Sequence, residues 1–124
     1  MDTDNFKDIN DSFGHAVGDK VLQHMAEIVT GSTRITDRSF RYGGDEFITL
    51  LPNADGEALH TVCRKLVQSI EQQTREQGTP ITVSVGAALL GPDEDSEAWN
   101  RRADRSMYRA KHQGGNRYVA DQLS

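Results

Sequence analysis

Two carboxylates beside two glycines form the segment of the chain that is the clearest candidate for a chemical function. Gly43 and Gly44 precede Asp45 and Glu46, between two short runs that predict β-strands. Glycine reaches positive φ and has no Cβ, so a hairpin turn of this kind lets a polyphosphate approach the main chain. The carboxylates are hard oxygen ligands of the type that Mg²⁺ takes together with substrate phosphate oxygens. On its own, the segment is equally compatible with an ordinary solvated acidic turn.

A second acidic segment opens the sequence. Asp2 and Asp4 are alternate residues, so in an extended backbone both side chains point to the same side and could face one metal ion. The alternative is that they begin the helix predicted by the spacing of Phe6, Ile9 and Phe13, because acids are favoured at helix N-termini.

Composition limits the partners that the chain can have. Its 124 residues are the size of one domain, and its formal net charge is −5. Because a negative chain has no general attraction for nucleic acid, a polyanionic ligand must be held locally by metal, Lys, Arg or backbone amides. No apolar run has the length of a membrane span, so we expect a soluble, cytoplasmic domain without membrane contact. We expect the single cysteine, Cys63, to be buried on the apolar face of a helix.

Hydrophobic spacing predicts the elements that position these segments. A loop from Ser12 to Asp19 is predicted to end with Asp19 as the cap of a helix, which Gly31 ends. The other predicted helices lie at 56–73 and 96–112, and the predicted strands at 39–42, 47–51, 81–87 and 117–120. Long helices between antiparallel strands favour an α+β fold, with helices packed on one sheet.

Together these motifs resemble the GGDEF domain, the catalytic domain of diguanylate cyclases. The matching segments are DTDNFKDIND at 2–11, FGH at 13–15, GD at 18–19, RYGGDEF at 41–47, VSVG at 83–86 and ADRSMYRAK at 103–111. The resemblance implies a palm-like, ferredoxin-like fold related to nucleotide cyclases and polymerases, with an antiparallel-rich sheet flanked by helices. It implies a homodimer that condenses two GTP molecules into cyclic di-GMP and two pyrophosphates with Mg²⁺ or Mn²⁺. A regulatory domain in the full-length protein is expected to control it.

The resemblance also implies roles for individual residues. Asp2, Asp45 and Glu46 match catalytic, metal-ligating carboxylates. Thr3 matches a position whose backbone carbonyl binds metal and where the family usually has an aliphatic residue. The positions that match GTP-binding residues are Phe6, Asn10, Asp19, Gly43, Gly44 and Lys111. The guanine-reading pair would be Asn10 and Asp19, since guanine N–H groups donate to amide and carboxylate oxygens. Asp19 could serve as both cap and ligand.

Arg34 and Asp37 match the Arg-x-x-Asp motif of the family's product-inhibition site, with five residues between Asp37 and Gly43. A guanidinium can bond in bidentate fashion to guanine O6 and N7 or to phosphate. An isolated Arg-x-x-Asp is usually a surface ion pair of little energetic weight. At this spacing we expect it to bind cyclic di-GMP, and Arg64 lies near a position where some relatives have a further arginine contact.

The sequence departs from the family pattern in two places. Gly115 stands where a phosphate-binding arginine is expected, so we predict weaker triphosphate binding, and Arg117 is a candidate replacement. The segments that lead into Asp2 in the family, an Asp-x-Leu-Thr-x-Leu-x-Asn-Arg motif and a hydrophobic strand, are absent. We therefore expect residues 1–124 to be one N-terminally truncated domain that lacks its first strand, with a weakened core. The alternative function is a weakly active module that binds GTP or cyclic di-GMP.

Overall fold

The computed structural model describes residues 1–121. The elements in chain order are β1 (Asp2–Thr3), α1 (Phe6–Phe13), α2 (His15–Ser32), β2 (Arg38–Arg41), β3 (Phe47–Leu50), α3 (Gly56–Glu76), β4 (Val83–Ala88), α4 (Ser96–His112) and β5 (Arg117–Asp121). The pairings of β1 with β4 and of β2 with β3 are antiparallel, so helices packed on these strands give an α+β fold.

The short strand β1 joins two groups of strands. It pairs antiparallel with β4, which pairs in parallel with β5 on its other side. The hairpin of β2 and β3 is antiparallel. It meets β1 through a bridge between Asp2 and Glu46 and through the hydrogen bond that Phe47 N donates to Met1 O at 2.8 Å. The described residues thus form a three-stranded sheet of order β1-β4-β5 and the two-stranded β2-β3 hairpin, which meet at this bridge, and most of the pairings are antiparallel, as the sequence predicted.

The core lies between the sheet and the helices α2 and α3. Met25 from α2, Ile70 from α3 and Val83 from β4 are fully buried. Cys63 is also buried, as expected, and burial raises the pKa of its thiol to about 11. Removing apolar area of this kind from water is the main stabilising term of a small domain.

Helix α4 packs unusually close to β4. A Cβ on Gly86 would collide with the backbone of α4 at Ala103 O and Met107 N. Only glycine lets the helix and strand approach to this distance, which explains the glycine in the VSVG segment. The helix begins at Ser96, as its spacing predicted. Asp95 caps it, because Asp95 Oδ1 accepts a hydrogen bond from Ala98 N at 2.8 Å.

The segment between α1 and α2 differs from the sequence prediction. Residues 12–19 are not a loop: one residue, Gly14 with φ of 89°, separates the two helices, and α2 begins at His15. Asp19 therefore lies inside α2 and does not cap it, so the predicted cap is wrong. The predicted end at Gly31 is also wrong, since α2 runs to Ser32. Asp2 and Asp4 precede α1, which begins at Phe6, so they do not start the helix.

An apolar cavity of about 680 Å³ opens beside β1. Residues of β3 and β4 line it, together with α3 and α4 residues such as Leu66 and Trp99. Met1 lies at its edge, and β4 pairs with β1 only at Val83 and Ser84. Among the described residues, no strand therefore lies between β3 and the second half of β4.

Candidate active site

The strand register brings the acidic residues of two distant segments together. Asp2 is bridged to Glu46, and the neighbouring Thr3 donates a hydrogen bond from Oγ1 to Asp45 Oδ2. Residues 2 and 45 are far apart in the sequence, so the contact between their segments depends on the pairing of β1 with the hairpin. The result is a group of three acids at one end of β1.

The electrostatics of this group are those of crowded like charges. Burial raises the pKa of Asp2, the charge of Asp45 raises it further, and Lys111 acts in the opposite direction. Burial also raises the pKa of Glu46; the terminal amino group of Met1 lowers it, and Asp2 and Asp45 add to the rise. Carboxylates that repel one another in a partly buried site are stabilised by a bound cation.

Lys111 supplies a positive charge beside Asp2 of this group. Its Nζ donates a hydrogen bond to Thr3 O at 3.0 Å and lies 3.4 Å from Asp2 Oδ2 and 3.9 Å from Asp4 Oδ1. The two alternate aspartates therefore face the same side, as the extended-backbone argument predicted. The ammonium contacts the carbonyl and the carboxylate that the resemblance assigned to metal.

The residues present fit a divalent cation whose ligands are mostly water and substrate phosphate oxygens. Within residues 1–121 there is no group of three or more His, Cys, Asp or Glu side chains arranged to hold a metal ion. Mg²⁺ needs fewer, because it commonly uses one or two protein carboxylates and completes its octahedron with water and phosphate oxygens. Asp2, Asp45 and the Thr3 carbonyl are the candidates for such a set, since Asp45 lies close enough for its charge to raise the pKa of Asp2.

Asp4 has a structural task that the sequence did not reveal. Its carboxylate accepts hydrogen bonds from Thr82 Oγ1 and Ser84 Oγ, both at 2.6 Å, and from Asn116 N at 2.9 Å. These bonds join β1 to β4 and to the turn after α4, so Asp4 fixes the turn beside the acidic group. The alternation of Asp2 and Asp4 was the only signal for this role in the sequence.

The turn that Asp4 holds explains the glycine at position 115. Gly115 has φ of +72°, and a Cβ there would lie 2.8 Å from all three carboxyl atoms of Asp4. Glycine therefore fits this backbone and arginine does not. Arg117 does not extend from the turn, because its Nε donates to Gly115 O at 2.9 Å.

The side chains of Asn10 and Phe6 both pack against Gly18. A Cβ on Gly18 would collide with Asn10 Oδ1 and would lie 3.3 Å from Phe6 Cζ. Asn10 Oδ1 is buried and accepts no hydrogen bond from any residue between 1 and 121. A buried acceptor without a donor is costly, so the Asn10 amide would gain by turning from Gly18 towards a ligand N–H.

Asp19 lies in a separate, smaller pocket. That pocket, of about 490 Å³, lies between α2 and the hairpin and includes Gln23, Ser39 and Arg41. Asn10 is not among the residues that line it, so the structure does not bring the predicted guanine-reading pair into one pocket. Both residues nevertheless flank Gly18.

The Gly-Gly turn has the tight conformation expected from its sequence. Gly43 has φ of 87°, and Tyr42 N donates to Glu46 O at 2.6 Å. Arg41 crosses the turn, donating from Nε and from a terminal nitrogen to Gly44 O at 2.9 and 2.6 Å. Both glycines are exposed, so a ligand can approach their backbone.

Arg34 and Asp37 form one preassembled unit outside the acidic group. The Asp37 side chain is fully buried, and its carboxylate accepts hydrogen bonds from Arg34 N at 2.7 Å and from the Arg34 guanidinium at 3.0 Å. The guanidinium also donates to Pro52 O at 2.7 Å and remains half exposed. Arg34 is thus the member of the pair that a ligand can reach. Arg64 is exposed on α3.

Comparison with known proteins identifies the family. The family model described as "Diguanylate cyclase, GGDEF domain" matches residues 1–117. The chain belongs to the GGDEF domain family. Diguanylate cyclase A of Treponema denticola is 37% identical over 121 residues, which cover 94% of this chain and 33% of that protein. This GGDEF domain thus spans about a third of the curated relatives' length.

Solved GGDEF domains share the fold described above. The active GGEEF domain of a diguanylate cyclase from Vibrio cholerae superposes with a TM-score of 0.90 and 34% identity, covering 99% of this chain and 80% of that one. The GGDEF domain of DgcB from Caulobacter crescentus, in complex with c-di-GMP, gives 0.82 and 30%, covering 96% and 73%. Within residues 1–121 of this GGDEF domain, no helix combines the length and apolarity needed to cross a membrane.

Proposed function

We propose that this GGDEF domain is a diguanylate cyclase, which condenses two GTP molecules into cyclic di-GMP and two pyrophosphates. The observation that carries the proposal is the bridge between Asp2 and Glu46, which brings Asp45 close enough for its charge to raise the pKa of Asp2. Carboxylates in this arrangement are the ligands of nucleotidyl transfer with divalent cations. The diguanylate cyclase names of the curated relatives support the same reaction.

GTP would lie between the acidic group and the pair of Phe6 and Asn10. Asn10 would turn its unpartnered amide oxygen from Gly18 to a guanine N–H, and Asp19, exposed on α2, would accept another. The exposed backbone of Gly43 and Gly44 lies against the phosphates. Lys111 turns from the carboxylates to the triphosphate.

The carboxylates would bind Mg²⁺ or Mn²⁺ through Asp2, Asp45 and the Thr3 carbonyl, with Glu46 beside them. Such a cation acidifies the attacking 3′-hydroxyl and stabilises the charge on phosphorus and on the leaving pyrophosphate. Glu46, beside these ligands, is the carboxylate suited to accept the hydroxyl proton. Each subunit of a homodimer holds one GTP, so that two nucleotides face each other.

Product inhibition would act through Arg34, with Asp37 holding its guanidinium in place. Arg34 offers a planar pair of donors that fits guanine O6 and N7 or a phosphate. Arg64 is proposed as a further contact. In the full-length protein, which we place in the cytoplasm, a regulatory domain would control dimerisation.

The second candidate function is a module that binds GTP or cyclic di-GMP with little turnover. Gly115 favours it, because the glycine removes a positive charge that the family uses on the triphosphate. The cyclic di-GMP complex of a similar GGDEF domain is compatible with both candidates.

Product analysis with matched variants tests the proposal. The chain is incubated with GTP and Mg²⁺, and cyclic di-GMP is measured by chromatography for wild type, Asp45→Asn and Asp8→Asn. We expect product from wild type and Asp8→Asn, since Asp8 is an exposed acid on α1, and none above background from Asp45→Asn. Bound nucleotide without product in the wild type would favour the second candidate.

A further inference from the structure

Thr3 faces the second carboxylate of the acidic group across two paired backbones. The bridge between Asp2 and Glu46 is antiparallel, so its register sets Thr3 opposite Asp45. Opposite residues of an antiparallel pair carry their side chains on the same face, close enough to bond. The backbone alone therefore brings the hydroxyl of Thr3 to the carboxylate of Asp45.

The side-chain contact follows this register. Thr3 is only 4% exposed, and its Oγ1 donates a hydrogen bond to Asp45 Oδ2. The Thr3 main chain has a separate partner, since its carbonyl oxygen accepts from Lys111 Nζ. An aliphatic side chain would keep the backbone contacts of Thr3 and its burial, but it could not donate to Asp45.

We infer that Thr3 is a positioning residue, whose hydroxyl holds one oxygen of Asp45 so that the other oxygen is presented to the cation. The inference rests on the proposed function, in which Asp45 is a metal ligand. A carboxylate on a hairpin tip has rotational freedom, and a fixed donor on one oxygen removes it before the cation arrives. The same hydrogen bond also ties the hairpin tip to β1.

Mn²⁺ binding tests the inference without relying on turnover. The dissociation constant of Mn²⁺ is measured by electron paramagnetic resonance, in the presence of a GTP analogue with a non-reactive α,β-methylene bridge. The variants are Thr3→Val, which keeps the shape and removes the donor, and Thr3→Ser, which keeps the donor. Thr49→Val is the matched control, because it removes a hydroxyl that bonds Ser39 on the same hairpin and touches no carboxylate.

The expected result is about a tenfold weaker Mn²⁺ affinity in Thr3→Val, as for other residues that orient a metal ligand. Thr3→Ser and Thr49→Val should bind Mn²⁺ like the wild type. Unchanged affinity in Thr3→Val, or an equal loss in Thr3→Ser, would overturn the inference, because the donor would then not matter. Wild type without measurable Mn²⁺ affinity would instead contradict the proposed function. Melting curves of each variant identify any loss caused by unfolding.

Discussion

Lys111 Nζ donates a hydrogen bond to the backbone carbonyl of Thr3 at 3.0 Å, and this carbonyl is the oxygen that the family resemblance assigns to a metal ion. The same ammonium lies 3.4 Å from Asp2 Oδ2. Lys111 and a divalent cation would thus compete for the same oxygens. The ammonium offsets the charge of Asp2 and Asp4, and on the proposed function it would become available to phosphate when a cation binds.

Replacement of Lys111 should separate these two roles. In Lys111→Met, Mn²⁺ should bind more tightly without nucleotide, because no ammonium competes for the Thr3 carbonyl. GTP should bind about 10-fold to 100-fold more weakly, the cost of one charge-assisted hydrogen bond of about 1.5–3 kcal/mol. Calorimetry with each ligand measures both effects. Weaker binding of both ligands would show that Lys111 has no competing position.

Cyclic di-GMP binding should depend on Arg34. Arg34→Ala is expected to weaken binding at least tenfold, because the guanidinium is the reachable donor of the unit with Asp37. Arg38→Ala is the matched control, since Arg38 is an exposed arginine of the same segment whose guanidinium bonds only backbone carbonyls. Calorimetric titration with cyclic di-GMP measures the difference. Equal affinity in all three proteins would contradict the assignment.

The glycine at position 115 should matter for folding. Gly115→Ala is expected to lower the free energy of unfolding by about 1–3 kcal/mol, because its positive φ disfavours a side chain and its Cβ would press on Asp4. Gly31→Ala, in helix α2 with nothing within 4 Å of its Cβ, should be neutral or stabilising. Urea denaturation compares the two. A Gly115→Ala variant as stable as the wild type would contradict the strained turn.

The stability conferred by Glu94 should vanish in acid. The Arg102 guanidinium and the Gly91 N–H hold the pKa of Glu94 at about 2, below its ordinary 4.5. A lowered folded pKa means that the stabilisation is complete above the unfolded value and is lost as the pH falls towards the folded value. The melting temperature of Glu94→Gln should therefore lie below that of the wild type at pH 7 and approach it between about pH 4.5 and 2.

Glu76→Gln provides the control for this pH dependence, since Glu76 is an exposed acid at the end of α3. Its melting temperature should follow the wild type at every pH. A melting-temperature difference between Glu94→Gln and the wild type that stays constant from pH 7 to pH 2 would show that the ion pair with Arg102 does not hold the carboxylate ionised.

Local signals were enough to predict the parts of the fold that depend on neighbouring residues. The bounds of α4 follow from its hydrophobic spacing, and the hairpin follows from the Gly43-Gly44 turn. The break at Gly14 was missed because one glycine at positive φ replaces the loop that two glycines suggested. The hydrophobic periodicity of the sequence does not reveal a break of one residue between two helices.

The site was predictable as a set of residues but not as a set of contacts. Asp2, Asp45 and Lys111 were singled out by motif, and the structure brings them together. The bond from Thr3 to Asp45 and the three donors around Asp4 depend on the pairing of segments 42 to 112 residues apart. No local pattern in the sequence encodes that register, so these contacts required the fold.

The rate of cyclic di-GMP formation at increasing chain concentration tests the central proposal most directly. With saturating GTP and Mg²⁺, we expect the rate of cyclic di-GMP formation per chain to rise with chain concentration, because two subunits must each present one GTP. Asp45→Asn measured beside it should give none. Wild type that binds GTP and Mg²⁺ but forms no cyclic di-GMP at any concentration would contradict the proposal that this GGDEF domain is a diguanylate cyclase.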